Sequence, residues 1–339
     1  MDIVTQGIIG AWAAQALAKP GEIRRATMIG LVAGLPADAD IFIRSSTDPL
    51  LTLDFHRQFT HALVFIPIGA LIVAGLLWVF FKSAIPFGQL YRYAFAGYAT
   101  SGLLDAFTSY GTQLLWPFSD ARISWSLISV VDPLFSLTLI LLLWFGLRRH
   151  TAGFAKLGTL FIGGYFLVGL SQQAQAASVV VALAKERGHP IERMVVKPTM
   201  GNLLVWRTIY QSGGLYHITA VRVTPFGRSQ YHAGEPLPLF RFDTDLDRWP
   251  KDSTLVSDVH RFKHFSNGYV ALHPDNPRIL GDVRYSLLPF DARPLWGITL
   301  RPDQPDQHVP FENDRSQIAE AMEIFPKLLT GSWEKWHDL

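Results

Sequence analysis

Apolar residues run unbroken for long stretches in the first half of the chain and alternate with polar ones in the second. A helix that crosses a bilayer needs about 20 mostly apolar residues, and three stretches meet that length: roughly 60–81, 126–147 and 153–172. A fourth, 87–107 ("FGQLYRYAFAGYATSGLLDAF"), is less apolar and ends near an aspartate. Two shorter segments come first, "GIIGAWAAQALA" and "TMIGLVAGLPADADIFI". Both are short for full spans and read as tilted, half-inserted or sheltered by the others. The pattern predicts six membrane-associated helices.

Beyond residue 172 the sequence "SQQAQAASVVVALAKERGH" still suits a helix that continues into water. The period then changes to two. "RMVVKPT", "NLLVWRTIYQ" and "LYHITAVRVT" are rich in β-branched and aromatic residues and are separated by Gly-containing turns such as "SGG", as strands require. "STLVSDVHRFKHF" has a Ser or Thr start and helical spacing, "GYVALH", "RILGDVRYSL" and "LWGITLRP" read as further strands, and "NDRSQIAEAMEIFPKLL" as a terminal helix. The expected fold is a membrane α-helical bundle of about six helices over 1–175, a connecting helix at 176–190, and a small soluble α+β, mostly antiparallel domain over 191–339.

Composition supports this division. The chain has 339 residues, 49% hydrophobic and only 17% charged, with most charges, histidines and prolines after residue 185. A net charge of +2 without a basic stripe gives no footing for nucleic acid. The absence of cysteine excludes disulfides, thiolate metal sites and cysteine nucleophiles. The opening "MDIVTQGIIGAWAAQALAKP" lacks a basic leader and reads as a helix that stays in place. If the helices alternate sides, the 1–2, 3–4 and 5–6 connections hold Lys19, Arg24, Arg25, Lys82, Arg148, Arg149 and Lys156, with Arg92 near that end. The opposite connections hold only Arg44, Arg57 and Arg122. The positive-inside rule puts the first group in the cytoplasm and the C-terminal domain outside it.

The same alternation gathers reactive side chains at one depth. Asp38 and Asp40 in "LPADAD" end the second helix, His56 and His61 in "HRQFTH" open the third, Asp105 ends the fourth and Asp132 begins the fifth, all on the outer side. Acids embedded in apolar sequence cost several kcal/mol unless paired, and at helix C-termini the macrodipole adds about 0.3–1 kcal/mol against each. A divalent cation beside neutral histidines would offset both. Mixed His/Asp ligands suit zinc foremost, with manganese or iron open. Plain readings stand beside this one. The Asp38/Asp40 pair can be a solvated turn, the histidines interfacial residues, and Asp105 an acceptor for the "TSYG" segment. Asp132 before Pro133 suits a helix break, and His260/His264 a surface pair.

"GLPADAD", "HRQFTHAL", "LLDAFTSYGTQLLWPFSDARISW" and "VVDP" together resemble the bacterial inner-membrane family of metal-dependent hydrolases of the YdjM-like, LexA-regulated type. The resemblance covers the membrane half in order, and extends more weakly to "LLVWRTIY" and "FKHFSNGYVAL". The family is remotely similar to zinc-dependent phospholipase C and P1-type nucleases, an analogy of less weight. It implies metal ligands or a general base among Asp38, Asp40, His56, His61 and Asp105, with metal-assisted hydrolysis as the chemistry. Arg57 and Arg122 are then candidates to clamp a phosphate, and a phospholipid or lipid-linked phosphate is the expected substrate class. Two departures stand out. Where the family has a Thr-His pair near the N-terminus this chain has Thr5-Gln6, and four residues before the "LLD" aspartate, where the family has histidine, stands Ser101. A second metal would be lost or weakly held, or the chain would be a degenerate scaffold or lipid-binding protein with a structural His/Asp cluster. A proton-carrying transporter ranks last, because the acids gather at one face instead of spanning a path.

Overall fold

The computed structural model describes residues 1–224 and 229–338. The chain forms two compact units, one of Met1–Ile43, Phe55–Leu170 and Met200–Asn202, the other of Arg44–Asp54, Ser171–Thr199 and Leu203–Leu339. The N-terminal part is helical and the C-terminal part is built on antiparallel sheets. The stretch Arg44–Asp54 packs with the second unit, together with the residues from Ser171 onward that it holds.

In the first unit the helices are α1 (Ile3–Ala16), α2 (Ile23–Ala33), α4 (Ile66–Phe81), α5 (Phe87–Ala106), α6 (Pro133–Arg149) and the start of α7 (Gly153–Glu186), with the short α3 (Leu51–Phe55) straddling the division. Tight 3-10 turns occupy Pro36–Phe42, Phe59–His61 and Leu63–Phe65. Among the described residues, two helical stretches are long and apolar enough to cross a membrane, Leu63–Phe81 and Gly153–Glu186. The other four are shorter or more polar, so six full spans are more than length and composition support. The expected connecting helix is the latter part of α7, which runs on without a break.

Small residues set the packing. A Cβ on Gly30 of α2 would lie 2.3 Å from the carbonyl oxygen of Gly10 in α1, and one on Gly97 of α5 would lie 2.6 Å from that of Gly30. Only glycine lets three backbones approach so closely, the contact that drives helix association where lipid removes the hydrophobic incentive. On α4, Ala70, Val73 and Ala74 are buried, whereas Ile68, Leu71, Ile72, Leu76, Val79 and Phe80 are exposed, an apolar face suited to acyl chains. Asp132 caps α6: its carboxylate accepts from the Phe135 backbone N–H at 3.1 Å and from the Tyr165 hydroxyl at 2.8 Å. The structural role expected of it is the one it has.

In the second unit β1 (Arg193–Pro198), β2 (Val205–Ser212), β3 (Leu215–Arg222), β4 (Gln230–Ala233) and β10 (His337–Asp338) lie in that order in one sheet, and β5 (Leu237–Pro238) also pairs with β3. The β2–β3 hairpin closes on Gly213 and Gly214, whose positive φ angles of 60° and 78° suit the sharp two-residue turn. After α8 (Phe242–Asp245) and α9 (Thr254–Phe265) come β6 (Val270–His273), β7 (Asn276–Asp282), β8 (Trp296–Thr299) and β9 (Phe311–Asn313) in a second antiparallel sheet, then α10 (Ile318–Thr330). Ser253 caps α9 by accepting from the Val256 N–H, and His260 and His264 both lie exposed on that helix, as a surface pair should. Arg207 is buried in the sheet and donates to the carbonyls of Val283, Leu288, Pro289 and Asp291, which fixes the loop they form.

Arg261 of α9 explains why Arg44–Asp54 belongs here. Its guanidinium donates to both carboxylate oxygens of Asp48 (3.0 and 2.9 Å), to Asp54 (2.9 and 2.6 Å) and to Asp258 (2.9 Å). Asp258 is fully buried and also meets His308 Nδ1 and the Val309 N–H. Asp48, Asp258 and His308 are spaced as a cation site would be, but Arg261 already supplies the positive charge. Arg261→Ala leaves these carboxylates without their counter-charge, at a cost of about 3–5 kcal/mol for the buried one. It should lower the thermal midpoint of the full chain by several degrees and make Arg44–Asp54 more readily cleaved by protease; an unchanged midpoint and cleavage pattern would refute the clamp.

Candidate metal centre

The turn Pro36–Phe42 follows directly on α2 and carries Asp38 and Asp40. The segment His56–His61 supplies the other arm. His56 and His61 do not open a helix: two 3-10 turns precede α4, which begins at Ile66. That irregular backbone brings both rings to one carboxylate. Asp40 Oδ1 lies 2.8 Å from His56 Nδ1, and Oδ2 accepts from the Arg57 backbone N–H at 2.8 Å and from the Thr60 hydroxyl at 2.7 Å. His61 Nδ1 lies 3.3 Å from the same Oδ2 and 3.0 Å from Thr60 Oγ1. Arg57 has φ 62°, a left-handed conformation unusual for a residue with a Cβ. It is held there by its N–H bond to Asp40 and by the Gln113 N–H donated to its carbonyl at 2.9 Å.

On the other edge of the His61 ring, Nε2 lies 3.2 Å from Asp38 Oδ1 and 3.1 Å from Asp105 Oδ2. His61 and Asp105 are buried and Asp38 nearly so. Neither His61 Nε2 nor Asp38 Oδ1 has a hydrogen bond of acceptable geometry. Buried polar atoms are seldom left so. With Nδ1 directed at Asp40 and Thr60, the electron pair of a neutral His61 would sit on Nε2, facing the two carboxylates. One nitrogen and two carboxylate oxygens within 4.8 Å of one another suit a divalent cation. Asp38, Asp40 and His56 form a second such group, sharing Asp38.

Positive charge is already present around these acids. Arg57 Nε lies 3.2 Å from Asp105 Oδ2, its Nη1 donates to Thr108 Oγ1 at 3.1 Å, and its guanidinium lies over the Tyr110 ring. The Met1 α-ammonium contacts Asp105 Oδ1, and Gln6 Nε2 donates to Asp105 Oδ2 at 3.1 Å. His61 precedes the Leu63–Phe81 stretch. Burial alone would lower the pKa of its ring, but the carboxylates of Asp105, Asp38 and Asp40 lying against it outweigh that and raise it to about 10. Burial pushes Asp40 the other way, yet the bonds from His56 and His61 hold its carboxyl well below the usual range. A proton on His61 and a divalent cation are thus alternative ways to balance the same carboxylates.

The five candidate ligands therefore meet: Asp40 touches both histidines, and His61 reaches Asp38 and Asp105 as well. The other candidates divide. Arg122 Nη1 donates to the carbonyls of His56 (3.1 Å) and Gly111 (3.5 Å), which braces the histidine segment. Arg57 is turned inward to Asp105 and Thr108. Phosphate clamping by either arginine is therefore not a feature of this conformation, because both guanidiniums are engaged with the protein. Gln6 remains in the site, and its Oε1 is buried without a partner. Ser101 is spent on a bond to the Gly34 carbonyl at 2.9 Å.

Three supporting residues escaped the sequence reading. Thr60 links Asp40 to His61. Tyr98 donates to the Thr60 carbonyl at 2.9 Å, its ring against Gly69. A Cβ on Gly102 would lie 2.2 Å from the His61 carbonyl oxygen, so α5 passes directly behind the histidine. Thr60 carried a signal, standing inside "HRQFTH"; the other two lie in ordinary helical sequence.

No solved structure matches the chain. A curated relative, the uncharacterized protein YfhP of Bacillus subtilis (strain 168), is 24% identical over 196 residues, which is 57% of this chain and 58% of that protein. The chain thus spans somewhat over half the length of that relative. Residues 1–176, which hold the whole Asp/His constellation, match the family described as YdjM inner membrane protein. That match covers more than half of the sequence, and the chain belongs to the YdjM inner membrane protein family.

Proposed function

We propose that Asp38, His61 and Asp105 hold a divalent cation, zinc foremost with manganese or iron as alternatives, and that the protein hydrolyses a phosphoester in a phospholipid or lipid-linked substrate. The observation that carries this reading is the convergence of unpartnered, buried His61 Nε2 and Asp38 Oδ1 on Asp105 Oδ2. The protein is read as a multi-pass protein of the inner membrane with its C-terminal unit outside the cytoplasm, from the placement of Lys and Arg.

The residues have distinct tasks in this reading. A bound cation supplies Lewis acidity toward a phosphoryl oxygen and acidifies water. Asp40 is a positioning residue: it bonds His56 Nδ1 directly and reaches His61 Nδ1 through the Thr60 hydroxyl, which orients both rings with their Nε2 atoms away from it, as carboxylates behind metal-bound histidines do. His56, bonded to Asp40 and 18% exposed, is the imidazole open to solvent and acts as general base. Arg57 balances Asp105. The apolar faces of α4 and α7 keep the site at the membrane surface, where a lipid places its polar head.

The second reading is a degenerate scaffold or lipid-binding protein. Gln6 and Ser101 at the family's histidine positions favour it, as does the Arg57–Asp105 pair, which neutralises one carboxylate without a metal.

Metal content separates the two. Protein purified in neutral detergent should carry about one equivalent of divalent metal by elemental analysis and release phosphate or headgroup from a lipid panel. His61→Ala should carry background metal and release nothing. Sub-stoichiometric metal in the parent, unchanged in the variant, would sink the hydrolase reading. Gly102→Ala tests the support behind the ligand: its methyl group displaces the His61 carbonyl, so metal affinity should fall about 10–100-fold with every ligand side chain intact. Wild-type affinity in that variant would show that α5 does not position His61.

A further inference from the structure

The second unit has an open cleft of about 1050 Å³, lined by residues that the Asp/His site does not use. Phe240 and Trp249 form an aromatic part of its wall, and both are nearly buried, so they are fixed in place. Three arginines line it, Arg248, Arg278 and Arg301, against one carboxylate, Asp303. Arg248 is partly satisfied: it donates to the Asp245 carbonyl at 2.8 Å, and its guanidinium lies 5.5 Å from the Trp249 ring centre. Arg278 and Arg301 differ. Both are exposed, and neither guanidinium makes a hydrogen bond, ion pair or ring contact among the described residues. Their backbones are tied closely, because the Leu300 N–H donates to the Arg278 carbonyl at 2.7 Å and the Gln304 N–H to that of Arg301 at 3.0 Å. Two uncommitted forks thus sit at the adjoining ends of two paired strands, Arg278 in β7 and Arg301 just past β8, and line the same cleft as the aromatic residues.

We propose that this cleft is a binding site for a phosphate ester whose organic part is planar or apolar. The guanidinium fork matches the oxygens of a phosphate, and such charge-assisted pairs are about twice as strong as neutral hydrogen bonds. The cleft is far larger than a phosphate needs and reaches the upper limit, about 1,000 Å³, of sites for whole small ligands. Phe240 and Trp249 accept the remainder of the molecule. A soluble phosphate ester and a phospholipid headgroup share this chemistry.

The test uses the full chain in neutral detergent and phenyl phosphate as the calorimetric probe, with a neutral chelator present to silence the Asp/His site. Phenyl phosphate should bind. The Arg278→Gln/Arg301→Gln double variant should bind it about tenfold more weakly or worse, with an unchanged thermal midpoint. Arg187→Gln, which removes an exposed charge elsewhere in the same unit, should leave binding as it was. Absence of binding, or equal loss in the Arg187 variant, would overturn the proposal, and so would wild-type affinity in the double variant. Competition then names the source. Displacement of phenyl phosphate by dihexanoyl phosphatidylglycerol but not by dihexanoyl phosphatidylcholine assigns the cleft to an anionic lipid headgroup, and displacement by neither assigns it to a soluble ester.

Discussion

The carboxylate of Asp40 is the interaction on which the rest of the site depends. It accepts from the Arg57 backbone, the Thr60 hydroxyl and His56 Nδ1, and lies within 3.3 Å of His61 Nδ1. Hydrogen bonds to a charged group contribute about 1.5–3 kcal/mol each, enough to hold an irregular segment that has no helix of its own. They also hold Arg57 in a left-handed conformation that it would otherwise leave. Because Nδ1 of each ring is turned to Asp40, chemistry at the site falls to the Nε2 atoms and to Asp38 and Asp105. A carboxylate that coordinates nothing in the proposed reading thus decides the orientation of the groups that do.

Behind this hub the support is steric. Tyr98 fits against Gly69 and reaches the Thr60 carbonyl, and Gly102 lets α5 pass against the His61 carbonyl. The same device, glycine at a crossing, joins α1, α2 and α5 through Gly10, Gly30 and Gly97. Burial in a close-packed helical layer removes water from the acids, and the cost is met locally by Arg57, Gln6 and the histidines. Outside that layer α4 exposes only apolar side chains. A polar site thus lies behind an exterior compatible with lipid.

Much of this was legible along the chain. Long apolar runs followed by alternating ones separated the helical part from the sheets, and the Ser253 cap and spacing of α9 were readable directly. Asp38, Asp40, His56, His61 and Asp105 could be gathered in the sequence by assuming that the helices alternate sides. The division of labour among them could not. It depends on which ring nitrogen faces Asp40, and that is set by 3-10 turns where a continuous helix was expected. Arg57 and Arg122 were legible as cations near the site but not as cations turned inward, since their partners are a side chain and carbonyls brought in by folding. Asp48 and Asp54 had no place in that reading, because the arginine that binds them lies more than 200 positions away.

That distant clamp bears on how the chain could be divided. The stretch Arg44–Asp54 is flanked on one side by Asp38 and Asp40 and on the other by His56 and His61, yet it belongs to the second unit. The family segment 1–176 includes Asp48 and Asp54 but not Arg261. In this chain the segment is therefore not a self-contained module. A graft of a different C-terminal domain would have to bring a cation of its own to the place Arg261 occupies, and a truncation would leave Asp48 and Asp54 without theirs.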